Sequence, residues 1–476
     1  MQKTDTTLIN VRIWYLVSWV YVITLGSMIF GYSTVYFNSL TVMIYKQYQY
    51  HNANYIENRD TFNSVVTTMI ILGTMIGSFT ISPFLSFGRR NCMLAVNLII
   101  IIGAAINMIF NFWALLLGRL LIGWGCGAFS VIAPIMINEI SPISISGVLG
   151  SAVQINFTFG FLLAYAFGFA VPYQTRSNGT ENQEIYTSEI WKLLFIFPGI
   201  VALIQILLLL LVFKDDTPSY YQQNEESERY VSTLSSIYVD NESILQLYKS
   251  KNESILEGAD TSSIGIFETR YLYTLFIGIM IFTIPKTTGV NATFFYSNEI
   301  FTMNYTGYKA EKEARIGTLM IGVVMFLTSF FSPLLLSRFG RRTILLIGHT
   351  GMLIFLTALG VSAIYDLNLW IKIFTVCYLF FFNPSIGTIS WIIGAEVLNS
   401  KGMAFSTSIT WPLTIMFSLY TNQGFKLLTA EGVYFLFAVF QIFSILFCYF
   451  MLKETKGLPK EQCQRLYMKQ NVNSSF

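Results

Sequence analysis

Long apolar runs separated by short polar breaks fill the chain. A bilayer-spanning helix needs about 20 mostly apolar residues. Runs of that kind occur at 14–37, 61–83, 92–112, 114–138, 146–171 and 190–213, and again at 271–298, 314–336, 343–364, 370–395, 403–424 and 431–452. The pattern predicts an all-α integral membrane protein with twelve transmembrane helices, six on each side of one hydrophilic segment. The expected organisation is an amino-terminal six-helix bundle over 1–213, a linker over 214–269, a carboxy-terminal six-helix bundle over 270–452 and a tail over 453–476. The linker mixes Asp215, Asp216, Glu225, Glu226, Glu228, Lys249, Lys251 and Glu253 with scattered apolar positions. The spacing of Tyr230, Leu234 and Ile237 allows short amphipathic helices at the membrane surface, and a plain solvated linker is the alternative. The first run is too long for a signal-peptide core and reads as a retained helix.

Composition narrows the class. Only 12% of the 476 residues are charged, against about 25% in soluble domains. A water-soluble fold would expose a continuous apolar surface and is excluded. A net charge of +3 supplies no nucleic-acid-binding face. Cys92, Cys126, Cys377, Cys448 and Cys463 have no paired spacing, and His51 and His349 have no metal-ligand company, so no disulfide framework, metal or cofactor is expected. No nucleophile–base pair, paired carboxylates or phosphate loop points to an enzyme. Lys and Arg favour the side that holds both termini and the linker, which the positive-inside rule makes cytoplasmic; the plasma membrane is the expected location. The sequons Asn178-Gly179-Thr180 and Asn304-Tyr305-Thr306 then face outward.

The two halves repeat. Phe87-Gly88-Arg89-Arg90 follows the second span and Phe339-Gly340-Arg341-Arg342 the eighth, while Glu139 ends the fourth span and Glu396 the tenth. Two six-helix pseudo-repeats are what a rocker-type transporter needs, with the solute held between halves that tilt against each other.

These features resemble the sugar porter family of the major facilitator superfamily, which contains facilitative glucose transporters and proton–sugar symporters. The resemblance rests on Phe30-Gly31-Tyr32, the two Gly-Arg-Arg loops, Gly118-Arg119 with Gly123, Gly125 and Gly127, and Pro134 with Glu139-Ile140-Ser141-Pro142. It continues through Asp216-Thr217-Pro218-Ser219, Gly289-Val290-Asn291-Ala292, Phe294-Phe295-Tyr296, Trp391 with Ala395-Glu396, and Glu454-Thr455-Lys456-Gly457. It implies the major facilitator fold and alternating access.

A charge near hydrocarbon must face protein or water and find a partner. Arg89, Arg90, Arg119, Glu139, Arg338, Arg341, Arg342 and Glu396 are therefore expected to form a cytoplasmic gate of ion pairs between the halves, and interfacial topology anchors are the alternative. The glycines of the fourth span are given a packing role. A sugar needs paired donors and acceptors beside aromatic faces in an apolar cleft. Gln154, Asn291, Asn383 and Trp391, with Phe294, Phe295 and Phe382 as walls, fit that need; the resemblance places Gln154, Asn291, Phe382 and Trp391 at family sugar-contact positions.

The chain also departs from the family. Two glutamines expected before the seventh-span glycine read Pro285-Lys286, an eighth-span asparagine reads Met325, and paired tenth-span prolines read Thr388 and Ser390. Trp411 does not align, because the stretch from Glu396 is short. Lys286, near mid-span, binds an anionic substrate group, bonds a sugar hydroxyl, or turns to a buried carbonyl. Pro285 would open the helix there and free a carbonyl. The aspartate that family symporters carry after Phe-Gly-Tyr is Ser33, which favours downhill transport. The expectation is a uniporter of a hexose or similar small polar solute. The alternatives are a carrier of a small anion or other non-hexose metabolite read by Lys286, and a non-transporting nutrient sensor.

Overall fold

The computed structural model describes residues 11–51, 56–175, 180, 182–239, 265–290, 307–365 and 367–468. The expected spans become helices α1 (Ile13–Tyr50), α2 (Arg59–Thr80), α3 (Arg89–Asn107), α4 (Phe112–Ile140), α5 (Ser146–Gly168) and α6 (Ile190–Leu211). The second half follows with α7 (Leu272–Thr287), α8 (Gly307–Arg338), α9 (Arg341–Ile364), α10 (Leu369–Val397), α11 (400–428) and α12 (Glu431–Phe450). Thr429, at φ 60, separates the last two. Among the described residues ten helices are long and apolar enough to cross a membrane, and α7 is a shorter apolar one. The nearly fused runs part at Asn111, whose side chain accepts the N–H groups of Trp113 and Ala114 and so starts α4.

Short connections make successive helices antiparallel. One face of the bundle, called here the N-terminal face, therefore carries the starts of the odd-numbered helices and the ends of the even-numbered ones. Two short helices, Pro218–Gln223 and Ser227–Ile237, follow α6 on that face, and Lys460–Arg465 follows α12. The first of these is started by Thr217, whose hydroxyl accepts the Tyr220 N–H, with Pro218 next in line where no N–H is needed. The second buries Tyr230, Leu234 and Ile237, the positions that made the linker look amphipathic. Arg12 N–H donates to Ile237 O, so the lead into α1 lies against this helix. Residues 240–264 of the linker lie outside the described residues.

Backbone contact fixes the packing within each half. A Cβ on Gly123 would strike Ile70 O and one on Gly127 would strike Thr74 O, so α4 and α2 touch main chain to main chain. Gly160 meets Met28 O in the same way, locking α5 to α1.

Candidate functional site

The two Gly-Arg-Arg loops build matching charge networks at the N-terminal face. In the first half, Arg89 Nη2 lies 2.8 Å from Glu139 Oε1, and Thr217 Oγ1 donates to Glu139 Oε2 at 2.5 Å. Arg90 N–H donates to Asp216 Oδ2, while the Arg90 guanidinium donates to Leu209 O and Phe213 O at the end of α6. In the second half, Arg341 Nη2 lies 2.8 Å from Glu396 Oε1, Thr455 Oγ1 donates to Glu396 Oε2 at 2.6 Å, and the N–H groups of Arg341 and Arg342 donate to Glu454. Arg342 donates to Cys448 O and Tyr449 O at the end of α12.

Asp216 and Glu454 thus cap the starts of α3 and α9 while Arg90 and Arg342 cap the ends of α6 and α12, both favourable with the helix dipoles. Gly88 and Gly340 are small because Asp216 and Glu454 rest where a Cβ would be. Burial pushes the Asp216 carboxyl up from its ordinary range, against the N–H groups of Thr217 and Arg90 and the Arg89 charge.

The expected gate is corrected on three points. The buried pairs Arg89–Glu139 and Arg341–Glu396 join helices of the same half, because the start of α3 lies beside the end of α4 and α9 stands likewise to α10. Arg338 is exposed. Arg119 lies 20 residues before Glu139 on α4, about 30 Å away along the helix, and cannot join a gate at the N-terminal face. It is fully buried beside Ser33, Tyr36, Phe37 and Val66. Asp216, Thr217, Glu454 and Thr455 were matched to family motifs without a role. The signal was an acid–Thr pair recurring after the sixth and twelfth spans.

Contacts between the halves occur at several depths. Near the N-terminal face, Ser78 and Ser408 share a 2.8 Å hydrogen bond, and a Cβ on Gly147 would press on the Arg341 guanidinium. A narrow cleft lies there, lined by Pro134, Ile137 and Asn138 from one half and Trp391, Ile392 and Glu396 from the other. Midway, Gln154 Nε2 donates to Asn383 Oδ1 at 2.8 Å. Asn383 Nδ2 in turn donates to Met325 O and Thr328 Oγ1. At the opposite face, Arg315 on α8 donates to Gly168 O, Val171 O and Pro172 O beyond the end of α5, and Glu311 accepts the N–H groups of Gln174 and Thr175.

Gln154, Phe382 and Asn383 therefore come together, with Gly387 leaving room for the Gln154 amide. Asn383 opens a wide helical turn that runs through Gly387, and Thr388 Oγ1 donates to Asn383 O at 2.9 Å. A hydroxyl thus satisfies the backbone where the family uses proline. Trp391 stands eight residues on, about 12 Å nearer the N-terminal face, against Phe282 and in the cleft wall. Lys286 lays its Nζ 3.8 Å over the Trp411 ring, and Trp411 meets Phe30 of the other half edge-on at 5.9 Å. Lys286 pairs with no carboxylate among the described residues. The helix α7 ends two residues past Pro285, and Gly289 turns the chain at φ 90. Trp411 was missed because the shortened stretch hid its alignment. Asn291, Phe294 and Phe295 lie outside the described residues.

A family model described as "Sugar (and other) transporter" matches residues 19–467. Over 474 residues the chain is 28% identical to the solute carrier family 2, facilitated glucose transporter member 3 of Rattus norvegicus, covering 94% of this chain and 91% of that one. It is 27% identical over 486 residues to the myo-inositol transporter 1 of Saccharomyces cerevisiae, covering 95% and 79%. Its fold superposes with a TM-score of 0.82 on the proton:xylose symporter XylE bound to 6-bromo-6-deoxy-D-glucose, at 21% identity, covering 95% of this chain and 99% of that one.

Proposed function

Because the chain belongs to the sugar (and other) transporter family, we propose that it carries a hexose or similar small polar solute down its gradient, as a uniporter working by alternating access. It is a multi-pass membrane transporter and not an enzyme. The observation that carries the site is the Gln154–Asn383 hydrogen bond between the halves at mid-depth. Two amides facing each other across the seam offer donors and acceptors that solute hydroxyls can take over, with Phe382 as an apolar face beside them and Trp391 further toward the N-terminal face.

The N-terminal face is cytoplasmic and the membrane is the plasma membrane. The paired charge networks rivet each half so that it moves as one body, while the contacts of Ser78 with Ser408 and Gly147 with Arg341 part when the site opens inward. Uniport is favoured because Ser33, which cannot titrate, stands where symporters of the family carry an acid. Uptake of labelled glucose into vesicles reconstituted with the full chain tests this. The expected result is equilibrative uptake unchanged by a pH gradient; uptake driven by protons contradicts the uniporter.

A second reading is favoured by one observation, the Lys286 ammonium held on Trp411 with no carboxylate paired to it among the described residues. In that reading the solute is an organic anion that Lys286 pairs with. Organic-anion uptake abolished by Lys286→Gln, without glucose transport, selects it.

A further inference from the structure

Arg119 is a buried charge with no counter-charge among the described residues. Its side chain is 0% exposed, and no ion pair among the described residues includes it. Two hydrogen bonds hold it, both at 3.4 Å, from Nε to Val66 O and from Nη1 to Ser33 O. The rings of Tyr36 and Phe37 lie 5.2 and 4.9 Å from its guanidinium carbon. Those carbonyls and ring faces offer only partial negative charge. An ion buried without a full partner is costly, and native proteins compensate it.

Two hydroxyls beside it and one of its own nitrogens are unsatisfied among the described residues. Arg119 Nη2, Ser33 Oγ and Tyr36 Oη are all buried without a hydrogen-bond partner. The Tyr36 hydroxyl faces the guanidinium, and the Cys126 thiol adjoins Ser33. One cation and two hydroxyls converge from α1 and α4, with no acid among them. Buried polar groups in native structures are satisfied by protein, water or an ion, so a cluster of three demands an explanation. An acceptor able to take several donors at once, carrying one negative charge, satisfies the whole set.

We infer that Arg119, Ser33 and Tyr36 form a buried site for a small monovalent anion of the halide class. The anion supplies the negative charge that the described residues do not place beside Arg119. It tightens the packing of α1 on α4 without touching the Gln154–Asn383 solute site. This inference does not rest on the identity of the solute, and its test needs no transport.

The experiment uses the full chain in lipid nanodiscs and follows thermal unfolding while bromide or chloride replaces gluconate at constant ionic strength. The expected result is a saturable rise in Tm with halide. Ser33→Asp places a fixed carboxylate beside Arg119 and removes the halide response. Tyr36→Phe deletes one donor and raises the half-saturating bromide concentration about tenfold, the effect of losing one hydrogen bond to an ion. Should Ser33→Asp fail to fold, anomalous scattering from bromide between Arg119 and Tyr36 decides the matter. A wild-type Tm identical in bromide, chloride and gluconate overturns the inference. So does a folded Ser33→Asp protein that keeps the wild-type halide response, or bromide-soaked crystals without a peak at Arg119.

Discussion

At the scale of single residues, the buried ion pairs make the sharpest demands. Arg341 and Glu396 are each almost wholly shielded, so removing one partner strands a charge. Arg341→Ala should therefore cost about 3–5 kcal/mol, read as a large drop in Tm, and Arg341→Met with Glu396→Leu should recover most of it. Trp411 touches both the Lys286 ammonium and Phe30. Trp411→Ala should raise the half-saturating solute concentration about tenfold, a loss of roughly 1.4 kcal/mol that initial-rate uptake measures. The sequence revealed these residues unevenly. Arg89, Glu139, Arg341 and Glu396 stood out because charge in an apolar chain is rare. Their partners could not be read, since Glu139 meets Thr217 only once the end of α4 and the segment after α6 are packed. The position of Arg119 was legible, because counting rise along α4 already separates it from Glu139.

At the scale of elements, the helix-to-helix capping explains why the repeat keeps glycine in both loops. Asp216 lies against Gly88 and Glu454 against Gly340, each reaching the first N–H groups of a helix distant in sequence. Substitution by alanine should expel the carboxylate and cost about 1–2 kcal/mol at either site, like the loss of a helix cap. Gly88 also holds φ 105, whereas Gly340 sits at φ −75. Gly88→Ala should accordingly lower Tm more than Gly340→Ala, by about a further 1 kcal/mol of backbone strain. Helix number and order were legible because the membrane permits few alternatives. The wide turn at Asn383 was not, since the Thr388 hydroxyl reaches Asn383 O by a contact that leaves no spacing pattern.

At the scale of the whole molecule, the contacts across the seam at its two ends oppose each other. Gly147→Val forces the start of α5 away from Arg341 and should favour opening at the N-terminal face. Arg315→Ala releases α8 from the end of α5 and should favour opening at the opposite face. A reporter Ser146→Cys in the cleft wall distinguishes them: its labelling rate should rise with Gly147→Val and fall with Arg315→Ala. The direct test of a carrier with one alternately exposed site is counterflow. Vesicles containing the full chain are loaded with unlabelled hexose, at equal pH on both sides, and given a trace of labelled hexose outside. A two-sided carrier should accumulate label transiently above its external concentration, because internal hexose returns the site outward. Label that never exceeds equilibrium, while it still enters, would contradict alternating access.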